Sequence, residues 1–208
     1  MKPTKRGPVP RVLEEHGERW SASCVRKKAE NPNYRIQWTK HGGVPVNRLL
    51  LPPLEAMTQS HCSYCDGYPL DDIAYPTIDH FLPKGQYPEL TYNWNNLYLA
   101  CPRCQNEKET RFDLRIQREE YQGELLRPDE PNYKFERYFL FNYKNGHIEP
   151  NPRASEAERR RAKFTIDKLG LNDGGRPRSR KRTIVCFARS EQRLDAIDVW
   201  PYRFILTQ

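Results

Sequence analysis

The sequence predicts an α+β fold: a ββα unit drawn together by cysteines, set between helices and accompanied by one small β-hairpin. Three observations lead there. Cys62-Ser-Tyr-Cys65 and Cys101-Pro-Arg-Cys104 repeat one spacing, with 35 residues between them. Inside that interval a strand bearing Asp79-His80, a turn bearing Asn96 and a short helix opening at Cys101 would bring three polar groups to one point. Further on, Asn145-Gly146 between apolar stretches is a hairpin signal, and Ser155-Glu-Ala-Glu158 is a capping box that opens a helix.

At 208 residues the chain is expected to hold one domain with elaborations. Hydrophobic residues are only 37% and charged residues 30%, yet four Trp, twelve Tyr and eight Phe can still build a compact core. No apolar run approaches the roughly 18 residues that a membrane span needs. The opening Met1-Lys2-Pro3-Thr4-Lys5-Arg6 lacks the apolar stretch of a secretory signal, so a cytoplasmic location is expected.

In a reducing compartment, paired CxxC motifs read as a tetrahedral zinc site rather than as disulfides. A redox role is disfavoured because no βαβ pattern surrounds either pair. Cys62, Cys65, Cys101 and Cys104 are therefore the expected ligands of a structural Zn²⁺, and Cys24 and Cys186 are left as idle or buried thiols. His61 abuts Cys62, but four cysteines already close the site. Tyr64 and Tyr68 are expected to pack around it. The energetics point the same way: residues 61–108 hold few large aliphatics, and zinc, worth about 10–16 kcal/mol in finger-like peptides, would fix a fold that burial alone would not.

The elements follow in order. Residues 1–11 form an irregular basic arm, and Val12–Ala29 a polar helix with Leu13, Trp20 and Val25 on a thin apolar face. Val46–Gln59 gives a buried helix that starts near Pro52-Pro53 or is kinked by it. Tyr138–Tyr143 and His147-Ile148 pair as the hairpin. A helix from Ser155 ends near Leu169-Gly170, and a basic one runs from about Arg178 to Ile197. The expected organisation is 1–60 as arm and helices, 61–112 as the cysteine-pinned core, and 113–208 as hairpin and basic helices.

Charge is one-sided. The formal net charge is +8, and 13 Lys/Arg against 5 Asp/Glu between Arg153 and Arg193 account for all of it. A solvated face would explain a single run, and an acidic partner protein stays open. With the Asp79-His80 cluster in the same chain, phosphate contact by Arg178, Arg180, Lys181 and Arg182 is the favoured reading. Lys84 and Lys108 could also reach phosphate, with solvated surface lysines as the plainer alternative. Trp94 is expected in the core, and His16, His41 and His147 have no partner motif.

The run Cys62-Ser-Tyr-Cys65, Ile78-Asp79-His80-Phe81-Leu82-Pro83-Lys84, Trp94-Asn95-Asn96-Leu97 and Cys101-Pro-Arg-Cys104 resembles the HNH endonuclease family, whose order is CxxC, Asp-His, Asn-Leu, then CxxC-His-xx-Lys. More loosely it is similar to the PtuB-like nucleases of Septu and retron antiphage systems. The resemblance implies a zinc-stabilised ββα-metal core and a nuclease activity on DNA or tRNA. It implies His80 as general base, Asp79 as holder of a divalent cation, and Asn96 as the brace of the loop after the first strand. The third family position departs from the pattern: Gln105 stands where His is expected, with Asn106 beside it. Either amide offers a hard oxygen that, with a carboxylate, suits Mg²⁺ or Mn²⁺.

The resemblance also implies a partner, an ABC-type ATPase of the PtuA kind, and in retron versions a reverse transcriptase with its DNA. The chain has no Gly-x-x-x-x-Gly-Lys-Ser/Thr of its own. A different class of function, a non-catalytic zinc-stabilised module that binds nucleic acid or protein through the basic helices, would leave Asp79 and His80 dispensable.

Overall fold

The computed structural model describes residues 1–70, 75–111, 118–190 and 196–206. Helix α1, Arg11–Glu30, is entered through Pro10 and turns Leu13, Gly17, Ser21 and Cys24 inward, an i, i+4 stripe that meets the turn Pro88–Leu90. The two-residue strands β1, Lys40–His41, and β2, Val44–Pro45, form a small antiparallel pair. Helix α2, Val46–Thr58, follows and runs through both prolines. Its buried face, Val46, Leu50, Leu54 and Thr58, holds it against the sheet behind, while Pro52 sits on the exposed side.

That sheet is the ribbon β3, Thr77–His80, and β4, Leu97–Ala100, paired antiparallel with Asp79 opposite Tyr98 and His80 opposite Leu97. All four β4 residues are buried, so the ribbon is covered on both faces. Helix α3, Pro102–Thr110, starts at Cys101, whose sulfur accepts from the Cys104 amide at 3.4 Å, with Pro102 in the first turn. This completes the ββα unit with cysteines clustered at its base.

The arm is ordered rather than loose. Arg6 places its guanidinium 4.4 Å from the Tyr98 ring, donates to the carbonyls of Trp94 and Leu97 at 3.0 and 2.7 Å, and pairs with Asp129. Trp94, buried as expected, donates its indole N–H to Gly7 O.

Helix α4, Arg118–Glu124, and the short α5, Phe135–Tyr138, lead into the hairpin β5, Phe139–Phe141, and β6, Ile148–Pro150. Gly146 in its turn has φ +79°, and a Cβ there would collide with the Pro177 carbonyl. Helix α6, Glu156–Lys168, shows both bonds of the Ser155/Glu158 capping box. The final helix, α7, spans Arg176–Arg189, not Arg178–Ile197. It starts earlier because Pro177 suits a first turn and Arg176 is held by the carbonyls of Leu169 and Gly170. It ends at the extended Ser190, and Ile197–Val199 is a separate 3₁₀ turn. Residues 191–195 of the expected helix lie outside the described residues, as does residue 112 at the expected core boundary. No helix among the described residues is long and apolar enough to cross a membrane.

Candidate active site and zinc centre

The four sulfurs of Cys62, Cys65, Cys101 and Cys104 all lie within 4.8 Å of one another, with Cys65 and Cys101 at 3.9 Å. Four thiolates at about 2.3 Å from one Zn²⁺ would stand roughly 3.8 Å apart, so the cluster has the dimensions of a closed tetrahedral site. The knuckle is shaped by Cys62 N–H to Gly67 O and Asp66 N–H to Cys62 O. Arg176, buried, brings Nη2 to 3.1 Å from the Cys104 sulfur, placing a cation against the thiolates. Asp66 forms a buried pair with Arg203, which ties the C-terminal turn Arg203–Ile205 to the knuckle. His61 is not aimed at the sulfurs: its ring nitrogens face the carbonyls of Gln59 and Trp200, and it stacks on Tyr68. Cys24 is buried and Cys186 exposed, both away from the cluster.

At the other end of the unit, the last two residues of β3 line a cleft of about 760 Å³. Asp79 is 4% exposed and His80 6%. The Thr91 carbonyl lies 3.0 Å from His80 Nε2 and can only accept, so Nε2 carries the proton and Nδ1 is the free base nitrogen. Trp38 stacks on the imidazole, with ring centres 5.3 Å apart and planes 28° apart. Burial above all, with Lys84 and Lys108 adding to it, pushes the His80 pKa down to about 3, so the ring is neutral at physiological pH. Asp79 Oδ2 accepts from the Tyr64 hydroxyl at 2.5 Å and pairs with Lys108 Nζ at 3.2 Å. Burial holds its pKa above the usual carboxylate value, against the opposing pull of Lys108 and Tyr64.

Asn96 bridges the loop after β3: its Oδ1 accepts from Leu82 N–H at 2.8 Å, and its Nδ2 donates to the carbonyls of Leu82 and Leu90. Gln105 lines the cleft, with its amide nitrogen 3.4 Å from Ile78 O. Asn106, one residue and about 100° further round α3, does not line it and is exposed. Lys84 also lines the cleft, its Nζ 5.6 Å from the Trp38 ring.

Two expected phosphate contacts are corrected. Lys108 is buried; besides Asp79 it binds the carbonyls of His80 and Phe81 at 2.7 and 3.1 Å, so its charge is spent inside the fold. Arg180 is 1% exposed and donates to Gly146 O, Leu171 O and Asn172 Oδ1, clamping the hairpin to α7. Arg178, Lys181 and Arg182 are exposed and line a separate groove with His147 and Asn172. Lys181 Nζ meets the Lys144 carbonyl there.

The residues that sequence reasoning missed are Trp38 and Thr91, together with the Tyr64–Asp79 contact. Trp38 carries no local signal, because its partner is distant in the chain. Tyr64 was legible as a buried ring but not as a hydrogen-bond donor to Asp79.

The ββα unit with its cysteine cluster and Asp-His cleft fits one class: the family model described as HNH endonuclease matches residues 62–111, so that segment is similar to an HNH endonuclease domain. Among characterised proteins, the chain is 41% identical over 68 residues to the Septu protein PtuB of Bacillus thuringiensis. The match takes in 33% of this chain and 25% of PtuB, so the chain spans about a quarter of that relative's length.

Proposed function

We propose that the protein is a metal-dependent endonuclease that hydrolyses phosphodiester bonds in DNA or tRNA, with its nuclease core at residues 61–112 between a buttressing N-terminal part and the basic C-terminal helices. One observation carries this reading: His80 is held by its Nε2 with Nδ1 free, beside a carboxylate on the floor of an open cleft. His80 Nδ1 takes a proton from the attacking water. A new phosphorus–oxygen bond forms as the bond to the 3′-oxygen breaks, leaving a 5′-phosphate and a 3′-oxygen that is protonated from solvent. An anionic phosphate beside the ring favours the imidazolium, so the base strengthens once substrate is in place.

The donor set at the cleft fits a hard divalent ion. Both protein partners of Asp79 take Oδ2, which leaves Oδ1 for a cation, and the Gln105 amide offers a second oxygen. Mg²⁺ or Mn²⁺ there would neutralise charge developing on the phosphate. Asn96 holds the loop that carries the Thr91–His80 contact, and Zn²⁺ in the cysteine cluster is structural. Exposed Arg178, Lys181 and Arg182, with Lys84 at the cleft, supply phosphate contacts.

Likeness to PtuB supports a place in a Septu-type antiphage system. The partner would be an ATPase of the PtuA kind, with or without a retron reverse transcriptase and its DNA, acting in the cytoplasm. The test is cleavage of plasmid DNA and of tRNA with and without Mg²⁺ or Mn²⁺. His80→Ala should keep its melting temperature and lose about 10²–10⁴-fold in rate. Equal turnover by that variant overturns the assignment of the base.

The observation that favours the non-catalytic alternative is the Lys108 ammonium, already paired with Asp79 where a cation would sit. That reading expects nucleic-acid binding without metal-dependent cleavage, unchanged in Asp79→Asn.

A further inference from the structure

The cleft that holds Asp79 and His80 has a wall from outside the matched HNH segment. Residues 33–37 line it together with residues 83–86 and one face of α3. This stretch has no regular secondary structure, but burial alternates along it. Ile36 is buried and Trp38 stacks on His80, so the segment is anchored at both positions, whereas Arg35 and Gln37 are exposed and line the cleft.

His80 is therefore shielded on several sides. Trp38 lies against one face of the ring, the Thr91 carbonyl occupies Nε2, and little of the residue is left open. A phosphodiester meets Nδ1 only by descending between the walls. The cleft volume of about 760 Å³ falls in the range of pockets that enclose a small molecule, about 300–1,000 Å³. That is room for a few nucleotides of one strand. A duplex would have to lower its backbone below the rim while the paired strand stayed attached.

The charge at the rim suits a strand as well. Of the cations lining the cleft, Lys108 is spent on Asp79 and Lys28 donates to Pro32 O at 2.8 Å. Arg35 has no ion-pair partner among the described residues, and Lys84 stands over Trp38. Tyr34 adds an aromatic ring to the same wall. Cations beside an aromatic surface are the makeup of grooves that track an unpaired backbone and stack its bases.

We infer that the cleft takes an unpaired nucleic-acid strand, and that Arg35 holds a phosphate neighbouring the one cut. This rests on the nuclease reading above and narrows its substrate class. Arg35 is a positioning residue, outside the HNH motif and absent from its pattern.

The test uses the full zinc-loaded chain and four fluorescein-labelled probes: a single-stranded DNA, a single-stranded RNA of the same sequence, and the two corresponding duplexes. Binding is read by anisotropy on the His80→Ala variant, so that turnover does not interfere, and cleavage on the wild-type chain with Mg²⁺. Expected are at least tenfold tighter binding of a single strand than of its duplex, a roughly tenfold loss of that binding in Arg35→Ala on the same background, and partial recovery in Arg35→Lys. In cleavage, Arg35→Ala should raise KM with kcat nearly unchanged. The DNA and RNA arms distinguish the sugar, and a single-strand preference in either supports the inference. Duplex bound as tightly as single strand, or Arg35→Ala without effect on single-strand binding and KM, overturns it. Single-strand preference and the Arg35 effect without cleavage of any probe would instead overturn the nuclease reading and leave the cleft assignment standing.

Discussion

At the cysteine end of the ββα unit, all four cysteines come from two four-residue stretches, and two buried arginines support them: Arg176 on Cys104, Arg203 on the adjoining Asp66. At the cleft end, the working groups sit next to each other in β3, but what holds them comes from afar: Tyr64, Thr91, Lys108 and Trp38. One end is fixed by local chain geometry and is shaped to hold an ion. The other is assembled by tertiary packing, with the buried Asp79 charge tolerated because Lys108 and the Tyr64 hydroxyl meet it. Such a division lets the chemistry change while the anchor stays.

Breaking the cysteine end should have the largest effect. Cys101→Ser removes a ligand whose ion contributes about 10–16 kcal/mol, comparable to the whole stability of a domain, about 5–15 kcal/mol. The variant should purify without stoichiometric zinc and lack a cooperative melt; calorimetry and metal analysis check both. Next comes the cleft end. Lys108→Met leaves Asp79 buried without its cation and strands two carbonyls, at a cost of about 3–5 kcal/mol. Its urea midpoint should fall while zinc content stays at one per chain; simultaneous loss of zinc would show that the two ends are not separable.

A smaller contrast sharpens the picture along α7. Arg180→Ala, which removes hydrogen bonds to buried acceptors, should lose about 1–3 kcal/mol. Its exposed neighbour Arg178→Ala should stay within about 0.5 kcal/mol of wild type. Arg178→Ala should instead lower the slope of log binding constant against log salt by about 1. The smallest effect belongs to a feature remote from both ends. Contacts with Arg137 and then Ser155 depress the Glu158 pKa from 4.5 to about 2. Since the folded value is the lower one, the contribution is complete above pH 4.5 and is lost as pH falls through about 2. Protection of the amides in the first turn of α6, taken as exchange relative to the intrinsic rate at each pH, should therefore fall over that window in wild type and stay flat in Glu158→Gln.

The cysteine cluster, the Asp79-His80 strand, the Asn96 brace, the hairpin and the α6 cap were all legible because each is written in a few adjacent residues. The fate of individual charges was not. A run such as Arg178-Ser-Arg180-Lys181-Arg182 looks uniform in sequence, yet helical rotation sends Arg180 inward to three acceptors and leaves its neighbours in water. Lys108 went the same way. Asn106 and Gln105 differ by one step of rotation on α3, which no composition rule resolves. Trp38 and Arg35 were invisible, since nothing ties an irregular stretch to a strand so far along the chain until both are packed.

The arm contact of Arg6 with the carbonyls of Trp94 and Leu97 bears on how the HNH-like segment could be cut or grafted. Borders drawn at residues 62 and 111 would cut away a guanidinium that caps the turn ahead of β4, the Gly7 carbonyl under the Trp94 indole, and the ring lying on His80. A transplant that respects only the motif would carry the metal scaffold without its buttress, so a working exchange with a relative has to move the first forty residues along with it.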